Sequence, residues 1–117
     1  MASFLDRLLR RDPDALPKTV RVDRALSLIE DGGVLVDVRE TAEWKSGHAP
    51  RARHIPLGKL ANEARRLPKD STIVVVCASG SRSRSGAAQL RSAGYQATSL
   101  SGGMSAWRAS GGPVTTR

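Results

Sequence analysis

A single cysteine stands in this chain, and its neighbours are of the kinds that activate sulfur. Ile73-Val74-Val75-Val76 lead into Cys77, and Ala78-Ser79-Gly80-Ser81-Arg82-Ser83 follow it. Four β-branched residues in a row predict a buried strand. The run from Ser85 to Ser92, with Ala87, Ala88 and Leu90 as its apolar members, predicts a helix. A cysteine held between a strand end and a helix start meets backbone N–H groups and the positive end of the helix dipole. That environment favours thiolate, the nucleophilic form of the residue. A cysteine after an apolar strand is also compatible with a small buried hydrophobe. The Gly/Ser loop and the nearby arginine weigh toward catalysis.

The elements on either side are those of an α/β domain. Asp23 opens a helix carrying Ala25, Leu26, Leu28 and Ile29, which stops at Gly32-Gly33. Val34-Leu35-Val36-Asp37-Val38 reads as a strand buried on both faces, as in a parallel sheet. Thr41 to Ser46 predict a short helix closed by Gly47; His54-Ile55-Pro56 predict a weak strand. Leu57 to Leu67 predict a helix ended by Pro68. After the Cys77 loop and its helix, Ala97 to Leu100 form a last strand, and a helix runs through Met104, Ala106 and Trp107. Strands alternating with helices predict a small, mainly parallel sheet flanked by helices. In such sheets, sites form beyond the carboxyl ends of strands, where Asp37, Cys77 and Gly102 all stand.

At 117 residues the chain reads as one domain, able to bury roughly two-thirds of its unfolded surface. Residues 18–113 form that domain, with a polar tail at 114–117. Residues 1–17 carry a short basic amphipathic helix, with Phe4, Leu5, Leu8 and Leu9 on one face, and a linker bracketed by Pro13 and Pro17. Packing on its own domain is the preferred role for that helix, ahead of a partner or a membrane surface. The formal charge is +8, supplied by fifteen arginines and four lysines against eleven acids. Only four aromatics accompany it, without an aromatic-interleaved basic strand, so no nucleic acid partner is expected. A field of that sign draws small anions toward the Cys77 loop. No apolar run suggests a signal peptide or a membrane span, and a lone cysteine suits a reducing compartment, so a cytoplasmic location is expected.

The motifs in order resemble those of single-domain rhodaneses, a family of sulfurtransferases. Asp37-Val38-Arg39-Glu40 with Glu43-Trp44 and Gly47-His48 is similar to the family's first block, and Ala52-Arg53-His54-Ile55-Pro56-Leu57 to its second. Cys77-x-x-Gly80-x-Arg82-Ser83 resembles the catalytic loop. Leu100-Ser101-Gly102-Gly103-Met104 with Trp107 and Gly111-x-Pro113 resembles the closing block. The likeness runs through nearly the whole domain and leaves residues 1 to about 17 outside. One departure falls at Ala49 and Arg51, where the family usually has an apolar residue and a glycine. Either Arg51 is strained at a positive φ, or Pro50 has reset the turn.

The resemblance implies a two-step exchange through a persulfide on Cys77, with thiosulfate or polysulfide as donor and a thiol or protein sulfur site as acceptor. Ala78, Ser79, Gly80, Ser81, Arg82 and Ser83 would cradle the anion. No cofactor and no metal are implied, and His48 and His54 do not make a metal site with one cysteine. Arg82 has two readings: it attracts the anionic donor, or it pairs with Asp37 or Glu40 and fixes the loop. Arg84 reads as an exposed helix residue. Asp37 and Arg39 read as an internal charge pair supporting the site, Gly102-Gly103 as a turn beside it, and Trp44 and Trp107 as core anchors. Two rivals stand beside this reading. A related cysteine-loop phosphatase or arsenate reductase wants five residues between cysteine and arginine, whereas four separate Cys77 from Arg82. A non-enzymatic binding or regulatory module could retain the loop without using it. The physiological donor, acceptor, pathway and oligomeric state are not written in these residues.

Overall fold

The computed structural model describes residues 16–117. The amphipathic helix expected near the N-terminus lies outside the described residues. Five strands, β1 (Thr19–Val20), β2 (Val34–Asp37), β3 (Arg53–His54), β4 (Thr72–Val76) and β5 (Gln96–Leu100), form one sheet. Their order is β1-β5-β4-β2-β3, and every strand pair is parallel. The α/β class and the parallel sheet expected from the sequence are what the structure has. β1 is the one strand without a sequence signal; its two residues align with Ser99 and Leu100 of β5 at the sheet edge.

Helices α1 (Val22–Glu30), α2 (Thr41–Lys45), α3 (Leu60–Glu63), α4 (Ser81–Ser92) and α5 (Gly103–Ala109) connect the strands. The alternation of side chains along β4 divides the interior in two. Ile73, Val75 and Cys77 join Leu60, Ala64, Leu67, Ala87, Leu90 and Tyr95 on one face. Val74 and Val76 join Val20, Val22, Ala25, Leu100, Met104 and Trp107 on the other. A strand buried on both sides explains its unbroken apolar run. α4 approaches β4 closely because Gly86 has no side chain: a methyl there would meet Val75 at 3.2 Å and Leu60 at 3.3 Å.

The segment from Leu57 to Leu67 is not the single helix its composition predicts. It divides into a 3₁₀ turn (Leu57–Lys59), α3 and a second 3₁₀ turn (Ala64–Arg66). An α-helical continuation would need an N–H from residue 68 for the carbonyl of Ala64, and Pro68 has none. Instead that carbonyl accepts from the Leu67 N–H at 2.8 Å and from the Tyr95 hydroxyl at 2.6 Å. The turn at Arg51 is also resolved. Ala52 N–H closes on the Ala49 carbonyl at 3.1 Å, and among the described residues only glycines have positive φ. Arg51 therefore lies outside the positive-φ region, and the strain considered for it is absent.

The C-terminal segment is fastened to the domain. Thr115 exchanges two backbone hydrogen bonds with His48, at 2.9 and 2.8 Å. The Trp107 indole N–H donates to the Pro113 carbonyl at 2.8 Å. Trp107 is the core anchor it was expected to be, whereas Trp44 is only half-buried. Among the described residues no helix is long and apolar enough to cross a membrane.

From β2 the chain turns outward to β3, and from β4 it turns the other way to β5. The carboxyl ends of β2 and β4 therefore flank the crevice where doubly wound sheets place their ligands. Replacing Tyr95 by Phe removes the hydroxyl that holds the Ala64 and Leu67 carbonyls from some thirty residues away. The expected loss is about 1 kcal/mol of unfolding free energy, read by urea denaturation.

Candidate active site

Cys77 follows the last residue of β4 and lies four residues before the first residue of α4. The helix begins at Ser81, earlier than the apolar pattern predicts, so Arg82 and Ser83 belong to its first turn rather than to a long loop. The loop proper is Cys77-Ala78-Ser79-Gly80. It reverses at Gly80, whose φ of +120° is open to glycine and strained for other residues. This reversal aims the Gly80 N–H back at Cys77 Sγ, 3.1 Å away.

The loop is also held from below. At the N-terminus of α5, Met104 N–H donates to the Cys77 carbonyl at 2.7 Å and Ser105 N–H to the Ala78 carbonyl at 3.2 Å. Helix starts leave such donors free, and here they grip the Cys77 loop. Gly103 makes the contact possible, because a side chain on it would overlap the Cys77 carbonyl oxygen and lie 2.6 Å from that of Ala78. The Gly102-Gly103 turn thus supports the loop by direct backbone packing.

Cys77 is 1% exposed and forms the floor of the site. Burial pushes its thiol pKa up, but hydrogen bonds from the Ser83 side chain and from the N–H groups of Ser83, Gly80 and Ser79 outweigh it. The net shift is downward from the ordinary thiol value, toward thiolate at lower pH. Ser83 Oγ lies 3.5 Å from Sγ, 3.0 Å from the Gly80 carbonyl and 2.7 Å from Ser99 Oγ. With a thiol, Sγ–H donates to Ser83. With a thiolate, Ser83 turns its proton to sulfur, and Ser99 can donate to Ser83. Ser99 was not singled out in the sequence; its signal was a polar pair, Thr98-Ser99, inside a buried strand. Ala78 is half-buried, and Ser79 and Ser81 stand exposed at the mouth.

Arg82 pairs with neither Asp37 nor Glu40. Its two terminal nitrogens bind the two carboxylate oxygens of Glu43 at 2.7 and 2.9 Å. The expected acids are engaged elsewhere. Asp37 binds Arg39 through three side-chain hydrogen bonds of 2.7 to 3.0 Å, with the two residues 0% and 3% exposed. The Glu40 side chain accepts the Glu43 N–H in a reciprocal capping box at the start of α2. Glu43 itself was legible only as part of a motif; its pairing across 39 residues was not. The hydrogen bonds from Arg82 hold the Glu43 carboxyl at about 2, against the opposing effect of burial and with help from the Glu40 N–H and the charges of Arg82 and Arg39. Arg82 is raised in turn, chiefly by the Glu43 hydrogen bonds.

The Asp37–Arg39 pair braces the end of β2. Arg39 also donates to the Gly47 carbonyl at 2.8 Å, and its own carbonyl accepts from His54 Nε2 at 2.8 Å. Trp44 stacks between two histidine rings, at 3.5 Å from His48 and 4.7 Å from His54. His48 Nδ1 donates to the Trp44 carbonyl. Both histidines are thus held by a backbone hydrogen bond and by stacking on Trp44. The arrangement can stabilise a buried sulfur anion and transfer an atom to or from it.

Comparison with known proteins places this geometry in context. The rhodanese-like domain model matches residues 21–110. Thiosulfate sulfurtransferase GlpE of Pseudomonas savastanoi pv. phaseolicola is 37% identical over 93 residues, spanning 79% of this chain and 88% of that one. A sulfurtransferase of Allochromatium vinosum is 37% identical over 82 residues, 69% of this chain and 77% of the relative. The crystal structure of a rhodanese-related protein from Thermoplasma volcanium superposes with a TM-score of 0.80 at 26% identity, covering 86% of this chain and 100% of that one.

Two outcomes follow from the geometry. In Ser83→Ala, sulfur loses a donor to its anion, so the pH midpoint of Cys77 alkylation by iodoacetamide rises relative to wild type. Glu43 has a depressed folded pKa, so its ion pair stabilises fully above the unfolded value of 4.5 and is lost as pH falls toward about 2. Urea denaturation across that range should show a wild-type advantage over Glu43→Gln that is level above 4.5 and closes below it.

Proposed function

The chain belongs to the rhodanese-like domain family, and from that premise we propose that it moves sulfane sulfur from a small anionic donor to a thiophilic acceptor through a persulfide on Cys77. The sulfurtransferase relatives support the reaction class and, through the thiosulfate sulfurtransferase among them, thiosulfate as a donor. The observation that carries the reading is the Gly80 N–H directed at Cys77 Sγ at the start of a twelve-residue helix.

In the first step the thiolate of Cys77 attacks the outer sulfur of thiosulfate. A new S–S bond forms to Sγ, the bond to the sulfonate sulfur breaks, and sulfite leaves with its electron pair. In the second step a nucleophile, cyanide in an assay or a thiol or protein sulfur site as acceptor, attacks the terminal sulfur. The persulfide bond breaks and the thiolate returns with its electrons. No proton transfer is needed at sulfur, so a lowered thiol pKa replaces a general base. The terminal sulfur of the persulfide would stand in the mouth formed by Ala78, Ser79, Gly80, Ser81 and Ser83, where the free N–H groups of the α4 N-terminus favour negative charge.

The phosphatase rival is disfavoured by the same residues. The arginine that such chemistry needs to clamp an oxyanion already has both terminal nitrogens on Glu43. A floor sulfur that is 1% exposed suits the approach of one sulfur atom better than that of a tetrahedral phosphate. The binding-module rival is disfavoured by the lowered thiol pKa, which a passive domain does not require.

Intact mass spectrometry under non-reducing conditions tests the proposal. Incubation with thiosulfate should add one sulfur atom to the wild type and none to Cys77→Ala, and cyanide should remove it. A folded wild type with an alkylatable thiol that gains no sulfur from thiosulfate would overturn thiosulfate as donor, and failure with polysulfide as well would overturn the persulfide reading.

A further inference from the structure

Arg84 is one helical turn beyond Gly80, and its backbone N–H bonds the Gly80 carbonyl at 3.2 Å. Its side chain folds back over the loop: Nη1 lies 3.6 Å from the point where a side chain on Gly80 would begin. The same Gly80 supplies the N–H directed at Cys77 Sγ, 3.1 Å away. These links and standard backbone dimensions place the guanidinium at most about 9 Å from the sulfur. That is about one Debye length at physiological salt and well inside it at low salt, so the charge reaches the sulfur most strongly at low ionic strength. Among the described residues, no carboxylate forms an ion pair with Arg84. Arg82 also feels the charge of Cys77, but both its terminal nitrogens are already bound to Glu43.

We propose that Arg84, rather than Arg82, is the specificity-determining cation that draws anionic substrates to Cys77 and holds their outer, negatively charged end. The thiolate and the incoming anion repel each other, and a cation above the loop offsets that repulsion where the two meet. Arg82 acts as a positioning residue that ties the first turn of α4 to α2. That thiosulfate is one of the anions rests on the sulfur-transfer reading above. The recognition of anions does not.

The test compares two alkylating agents of nearly the same size, iodoacetate (anionic) and iodoacetamide (neutral), on wild type, Arg84→Gln and Arg84→Lys. The measured quantity is the ratio of their rates with Cys77 at low salt. For an exposed charge, the ratio should fall by about 1.5-fold to fivefold in Arg84→Gln. Arg84→Lys should restore most of it, and added salt should erase the difference. Arg84 is exposed on α4, so its variants should fold, which circular dichroism checks. In turnover, Arg84→Gln should raise KM for thiosulfate by a similar factor with a smaller change in kcat. An unchanged alkylation ratio in Arg84→Gln overturns the proposal. A lowered ratio in a protein that forms no persulfide would support the anion site while removing the sulfur-transfer reading.

Discussion

The N–H of Gly80 reaches back three residues to the sulfur of Cys77, and the site is arranged to keep that contact. The reversal requires a φ of +120°, which glycine alone adopts without strain. It also requires that the end of β4 and the start of α4 stay close, which Gly86 permits by letting the helix lie against Val75. The loop carbonyls are then taken by the first N–H groups of α5, across a Gly103 that leaves no space for a side chain. Two helix N-termini thus serve one loop. α4 directs its donors at the sulfur, and α5 directs its donors at the backbone that carries the sulfur.

The charges are sorted so that donors, rather than a buried cation, stabilise the thiolate. Asp37 and Arg39 are buried together and neutralise each other, as an unpaired charge at that depth would cost several kcal/mol. Arg82 and Glu43 form a half-exposed pair that joins α4 to α2, 35% and 34% of their side chains being open to solvent. Such a pair contributes little to global stability, and its value here is geometric. With these four groups engaged, the sulfur's immediate partners are N–H groups and the Ser83 hydroxyl. Dipoles in a fixed frame stabilise an anion without binding it as tightly as a full charge, which suits the proposed uptake and release of a sulfur atom.

The elements that the sequence announced are those whose signals are local. The apolar run into Cys77, the Gly32-Gly33 stop and the alternation of strand and helix all depend on neighbours within a few residues. They were sufficient for the α/β class, for the parallel sheet and for placing Cys77 at a strand end. The start of α4 was misplaced because Ser81, Arg82 and Ser83 have no apolar periodicity, and the cap is a glycine with no side-chain hydrogen bond. The 57–67 segment was misplaced because its break depends on Pro68 together with Tyr95, whose hydroxyl comes from the distant junction of α4 with β5.

By itself the sequence determined the ingredients of the candidate site: one cysteine at a strand end, a glycine able to reverse the chain behind it, and small residues around it. The partnerships were decided only in the tertiary structure. Arg82 could have met any of several acids, and it meets Glu43 because the fold brings α2 beside the first turn of α4. Ser99 meets Ser83 because β5 lies beside β4 in the sheet, not because of any spacing along the chain. Local preference acts through the backbone dihedrals of neighbouring residues, whereas which charged groups meet is settled by which faces the packed layers bring together.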